Sequence, residues 1–99
     1  MKYNISITEL AQLEIQEYFD DYNQKREGLG EDFENEIIQN IEYIQKEAQT
    51  IQIRYNTIRI SFLKQFPFGI HFQMNQNEVL IIGVYPMKGN PRKWRTQPS

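Results

Sequence analysis

Residues 58–74 read Ile58-Arg59-Ile60-Ser61-Phe62-Leu63-Lys64-Gln65-Phe66-Pro67-Phe68-Gly69-Ile70-His71-Phe72-Gln73-Met74, and their period decides the fold class. Ile58, Ile60 and Phe62 alternate with Arg59, Ser61 and Leu63, then Phe68, Ile70, Phe72 and Met74 alternate with Gly69, His71 and Gln73. A period of two in β-branched and aromatic residues predicts two strands. Gln65-Phe66-Pro67 separates them, because proline cannot donate to a central ladder. Downstream, Asn75-Gln76-Asn77 predicts a turn, since these residues tolerate left-handed backbone. Val79 to Tyr85 is nearly all apolar, the pattern of a strand buried on both faces, and is read as the central strand of the sheet. Pro86, Gly89, Asn90 and Pro91 end regular structure ahead of a basic, aromatic tail over 89–99.

Upstream of residue 50 the period is helical. Tyr3, Ile5 and Ile7 alternate first, as one face of a short strand. Thr8 is placed to cap a helix, with Glu9 at its positive end and Ala11, Ile15, Tyr18, Phe19 and Tyr22 on one stripe. Gly28-Leu29-Gly30 interrupts the pattern, and Phe33, Ile37, Ile41, Ile44 and Ala48 form a second stripe. Two amphipathic helices with a short connection make an antiparallel hairpin. The order β-α-α-β-β-β predicts a small α+β domain over residues 1–99, its helix hairpin packed on one face of a mostly antiparallel sheet.

Composition narrows the function classes. With 39% hydrophobic and 13% aromatic residues in 99, the chain can build one core and little more. No cysteine is present, which removes disulfides and thiol chemistry and fits the cytoplasm. No apolar run approaches the roughly 20 residues of a membrane span. One histidine, no cysteine and scattered carboxylates give no metal-ligand pattern, and Gly28 and Gly30 lack the Lys-Ser/Thr of a phosphate loop. No metal and no cofactor is expected. Residues 1–50 carry four Lys/Arg against twelve acids, a balance of −8, whereas residues 51–99 carry seven against Glu78 alone, a balance of +6. A basic half can hold an anionic partner inside an acidic protein, because charge is felt over about 10 Å. The alternative is that acids simply line solvated helix faces.

Five stretches, in this order, carry a family resemblance: the strand–helix opening with Ala11; Gly28-Leu29-Gly30-Glu31-Asp32-Phe33; Ile53-Arg54-Tyr55; the run from Leu63 through Phe66-Pro67-Phe68 to Phe72; and Asn90-Pro91-Arg92-Lys93-Trp94. Together they resemble the RelE/ParE superfamily of toxins from bacterial type II toxin–antitoxin systems. The resemblance implies a growth-inhibiting toxin of the plasmid-stabilisation kind, held inactive by a cognate antitoxin. It also implies a target in DNA gyrase or in the ribosome and its mRNA, and assembly as a homodimer or a heterotetramer with the antitoxin. It leaves open a ribosome-dependent mRNA endoribonuclease with a rearranged site, or a degenerate module that only binds antitoxin. RNA-cutting relatives carry arginine where Gly69 stands, and a histidine and arginine where Pro86-Met87-Lys88 stands, so enzymatic activity is left undecided.

Metal-free RNA cleavage needs cations for the phosphate and a proton-transfer group. The candidates for such a catalytic set are Arg59, Tyr85 and Lys88. Arg59, opposite Ile58 and Ile60, either reaches a phosphate or pairs with the acidic helices. Tyr85 either transfers a proton or packs. Lys88 keeps charge without the planar fork of an arginine. Arg54, Lys64, His71, Arg92, Lys93 and Trp94 are the candidates for nucleic-acid or target binding. His71 can titrate near neutrality or serve structurally, and Trp94 can stack on a base or pack on the domain.

Overall fold

The computed structural model describes residues 2–87; Lys88, Arg92, Lys93 and Trp94 lie outside the described residues. The elements are β1 (Asn4–Ile7), α1 (Glu9–Lys25), α2 (Leu29–Glu47), a 3-10 turn (Ala48–Thr50), β2 (Ile53–Tyr55), β3 (Ile58–Phe62), β4 (Phe68–Asn75) and β5 (Glu78–Pro86). They form an α+β architecture, two helices on a five-stranded sheet ordered β1-β5-β4-β3-β2. β1 pairs with β5 in parallel, and all other pairs are antiparallel. Two expectations change. Ile53–Tyr55 is a further short strand, paired antiparallel with β3. The middle strand is β4; the apolar β5 is interior, between β1 and β4, so it too is covered along both edges for part of its length.

The helix hairpin forms as its sequence dictates. Thr8 Oγ1 accepts the Ala11 N–H at 3.1 Å, satisfying one of the donors a helix start leaves open. α1 ends at Arg26, and Gly28 takes the left-handed conformation (φ 89°) that reverses the chain. Gly30 then lets the helices close. A Cβ there would lie 2.5 Å from the Phe19 carbonyl oxygen, and its N–H instead donates to Asn23 Oδ1 at 2.7 Å.

The core lies between helices and sheet. Phe33, Ile37 and Ile44 of α2 meet Phe68, Ile70 and Phe72 of β4 and Val79, Ile81 and Val84 of β5. At one end Tyr18, Tyr22, Phe33, Phe66 and Phe68 form a ring cluster with centroids 4.5–6.2 Å apart, mostly tilted or edge-on, the arrangement that favours the ring quadrupoles. β5 switches phase between Ile81 and Gly83: His71 pairs with Gly83 but Phe72 pairs with Ile81, leaving Ile82 as a bulge. That extra residue keeps Ile81 and Val84 both on the helix side and turns Gly83 and Tyr85 to the other face.

Candidate functional site on the outer face of the sheet

Cross-strand partners share a face, so the register places Ile60, His71 and Gly83 in one row and Phe62, Gly69 and Tyr85 in the next, on the face away from the helices. The glycines make room. A Cβ at Gly69 would lie 2.6 Å from Ile60 Cγ2 and 3.3 Å from the Phe62 ring, and one at Gly83 would collide with the Tyr85 ring. Tyr85 therefore lies over Gly83 and meets the His71 ring edge-on at 4.8 Å. From β2, the Tyr55 hydroxyl reaches His71 Nδ1 at 2.8 Å.

The electrostatics of this Tyr55–His71–Tyr85 group favour neutral species. Burial pushes the His71 imidazolium down to about 4. Burial, then the Glu14 carboxylate, pushes the Tyr85 phenol up to about 12, and burial raises Tyr55 as well. At neutral pH the cluster carries no imidazolium and no phenolate. It can hydrogen-bond and stack, but it offers a phosphate no positive charge.

Among the described residues the predicted cations are dispersed. Arg59 alternates with Ile58 and Ile60 as read, yet the side it faces is the helix layer. Its guanidinium donates to the Ile51 carbonyl at 2.6 Å and the Gln49 carbonyl at 3.3 Å, holding the chain that leaves α2. Arg59 and Tyr85 are thus on opposite faces and are not brought together. Arg54 is exposed, its guanidinium 5.2 Å from the centroid of the Phe62 ring. Lys64 is exposed in the β3–β4 loop, where its backbone N–H donates to Glu36 at 2.6 Å. Of the predicted set, the structure brings His71 and Tyr85 into contact.

Two contributors escaped the sequence reading. Tyr55 gave no pattern of its own. Glu14 did leave a signal: a carboxylate on the stripe of Ala11, Ile15 and Tyr18, where a helix buries apolar groups. It accepts the Val84 N–H at 3.1 Å, and burial raises its pKa. Among the described residues no group of three or more His, Cys, Asp or Glu could hold a metal ion, and no helix is long and apolar enough to cross a membrane.

No family model matches the sequence, and no curated protein matches it. The fold is similar to that of a solved chain described as "Chromosomal ParDE TA system from P. aeruginosa", with a TM-score of 0.76 and 16% identity over 86% of this chain and 96% of that one. At that identity the likeness establishes the fold, and it is the RelE/ParE-like fold that the sequence motifs imply.

Proposed function

We propose that this chain, which has the RelE/ParE-like fold, is the toxin of a type II toxin–antitoxin pair and acts by occupying its target rather than by cutting RNA. The observation that carries the second half is the chemistry of the outer sheet face. Cleavage of a phosphodiester without metal needs positive charge beside the phosphate and a group that gives up a proton to the leaving oxygen. On this face the position of the relatives' arginine is Gly69, closed over by Ile60 and Phe62. His71 is a buried neutral ring tied to Tyr55, and Tyr85 holds its proton up to about pH 12. Arg59 is committed to two backbone carbonyls.

Such a face suits contact with a folded target, because Phe62 and the adjoining Arg54 offer stacking and cation–π interactions that need no proton transfer. The gyrase-directed mode implied by the family resemblance fits it better than the translation-directed mode. An antitoxin partner follows from the same reading, as the agent that keeps such a surface covered.

The experiment is induced expression of the chain alone and together with the product of any small adjacent gene. Growth and gyrase-dependent DNA breaks are the readouts. The expected result is arrest with breaks that a poison-resistant gyrase relieves, and rescue by the co-expressed product. Unimpaired growth with good accumulation of folded protein would overturn the toxin assignment.

A further inference from the structure

An antiparallel sheet that packs helices on one face commonly turns polar side chains to water on the other. The outer face here does the reverse. Ile58, Ile60, His71 and Tyr85 stand on it and are 0%, 4%, 1% and 8% exposed, although none belongs to the core cluster between helices and sheet. Among the described residues no helix or strand lies over that face, since both helices pack on the opposite one. Side chains of the face itself do not supply the cover. Tyr85 already lies over Gly83 and against the His71 ring, so its outward surface is the top of the stack, and it is buried nonetheless.

The burial has a direction. The register sets Tyr85 opposite Gly69 and Phe62, His71 between Gly83 and Ile60, and Leu80 opposite Gln73. Ile58, two residues before Ile60, falls in the row of Gln73. The closed positions therefore run diagonally, from Tyr85 on β5 through His71 on β4 to Ile58 on β3. The two corners off that diagonal, Phe62 and Leu80, are each 38% exposed. A stripe of this shape fits one chain segment crossing the strands and not a broad layer. Two strand spacings of about 4.8 Å and four residues at about 3.3 Å make it about 16 Å long.

One end of the stripe lies where the chain leaves the sheet. Met87 donates its N–H to the Pro67 carbonyl at 2.9 Å, which fixes the exit beside the row of Tyr85. Twelve residues follow, 88–99. Gly89, Asn90 and Pro91 are of the types that favour chain reversal, and the eight residues after them reach roughly 26 Å when extended, more than the stripe needs. Trp94 is the single large apolar side chain in this segment, and a tryptophan buries about 150–250 Å². Charge agrees. The segment carries four Lys/Arg and no acid, whereas residues 1–87 carry seven Lys/Arg against thirteen acids. Glu14, which reaches the Val84 N–H of β5, shares one side of α1 with Glu17 and Asp21, so the flank of β5 is acidic over the distance that charge is felt.

We infer that residues 88–99 turn back over the outer face and run along this stripe, with the Trp94 indole seated over His71 and Ile60. The segment then acts as a strap. It closes the Tyr55–His71–Tyr85 group off from ligands and leaves the margin at Phe62 and Arg54 as the open part of the face. A partner that engages His71 or Tyr85 must first lift it. The inference stands independently of the toxin assignment, because it rests on burial, reach and charge and not on any target.

Trp94 is the only tryptophan, so fluorescence of the full-length chain reads the contact without a label. The expected result is a blue-shifted emission that acrylamide quenches several-fold less than it quenches the urea-unfolded chain. Nuclear Overhauser contacts should join the indole to the His71 ring and the Ile60 methyls. Truncation after Met87 should raise the His71 pKa, read from its ring carbon shifts, from about 4 toward 6.5, and Trp94→Ala should raise it part of the way. The wild-type contacts and Trp94→Ala decide the matter should the truncated chain not fold. Emission and quenching equal to those of the unfolded chain, indole contacts to the helices instead of the sheet, or a His71 pKa unmoved by Trp94→Ala would each overturn the inference. So would indole contacts that form between labelled and unlabelled copies and fade on dilution, since the cover would then be a second copy of the chain.

Discussion

Acidification should loosen this protein through one ring. His71 is 1% exposed, and burial holds its folded pKa at about 4 against 6.5 for a free histidine. The unfolded chain therefore takes up the proton first. The stability that comes from keeping the ring neutral is fully present above about pH 6.5 and is lost as pH falls toward the folded value. Integrating between the two pKa values gives a loss of about 2 kcal/mol on going from about pH 7 to about pH 5, out of a total that for such a domain is roughly 5–15 kcal/mol. Glu14 works in the opposite sense, because a raised carboxyl pKa makes the folded state the better proton acceptor. His71→Gln separates the two: it keeps an acceptor for the Tyr55 hydroxyl, cannot titrate, and leaves Glu14 in place. Urea unfolding followed by circular dichroism, with a slope of about 1 kcal/mol/M for this size, should show the wild-type midpoint falling by roughly 2 M between the two pH values. The variant, less stable at neutral pH, should fall far less. If wild type and variant lose the same amount, His71 is not held neutral, and the argument that the Tyr55–His71–Tyr85 cluster carries no positive charge fails with it.

Arg59→Ala should cost about 1.5–3 kcal/mol, because it strips a charged donor from the Gln49 and Ile51 carbonyls; chemical denaturation measures it, and a loss of toxicity with unchanged stability would return Arg59 to a target-contacting role. Gly69→Arg should destabilise by about 1–3 kcal/mol through the Ile60 and Phe62 contacts and should restore no RNA cleavage, as transcript-end mapping in expressing cells would show. Phe33→Ala, at the centre of the ring cluster and fully buried, should cost about 3–5 kcal/mol by the same denaturation assay.

The fold was legible wherever one side chain period dominated. Thr8 caps α1, both apolar stripes face the core, and Phe68, Ile70 and Phe72 alternate inward as read. β2 was hidden because three residues are too few to show a period. β5 was misplaced as the middle strand because a run that is apolar throughout says that it is interior and not which neighbours it has. The bulge at Ile82 was hidden by the same run. The outer face was harder. In β3 the apolar Ile58 and Ile60 suggest the core, yet Arg59 and Ser61 face the helices, where a guanidinium caps the carbonyls after α2 and the Ser61 hydroxyl bonds to Asn40. Alternation fixes which residues share a face; only the partners across the layer fix which face is which. Arg59 looked like a catalytic cation for that reason. His71 and Tyr85 could be named from the sequence, but their neutrality comes from burial beside Tyr55 and Glu14, which are 16 and 71 positions away along the chain respectively.

The proposed function is growth arrest without RNA cleavage. Its most direct test is genome-wide mapping of transcript 5′ ends after induction of the wild type and of Tyr85→Phe, with growth followed in parallel. Arrest by both proteins, with no new codon-phased ends, is the expected result. Codon-phased ends that appear with the wild type and vanish with Tyr85→Phe would contradict it, and would make the outer sheet face a ribonuclease site.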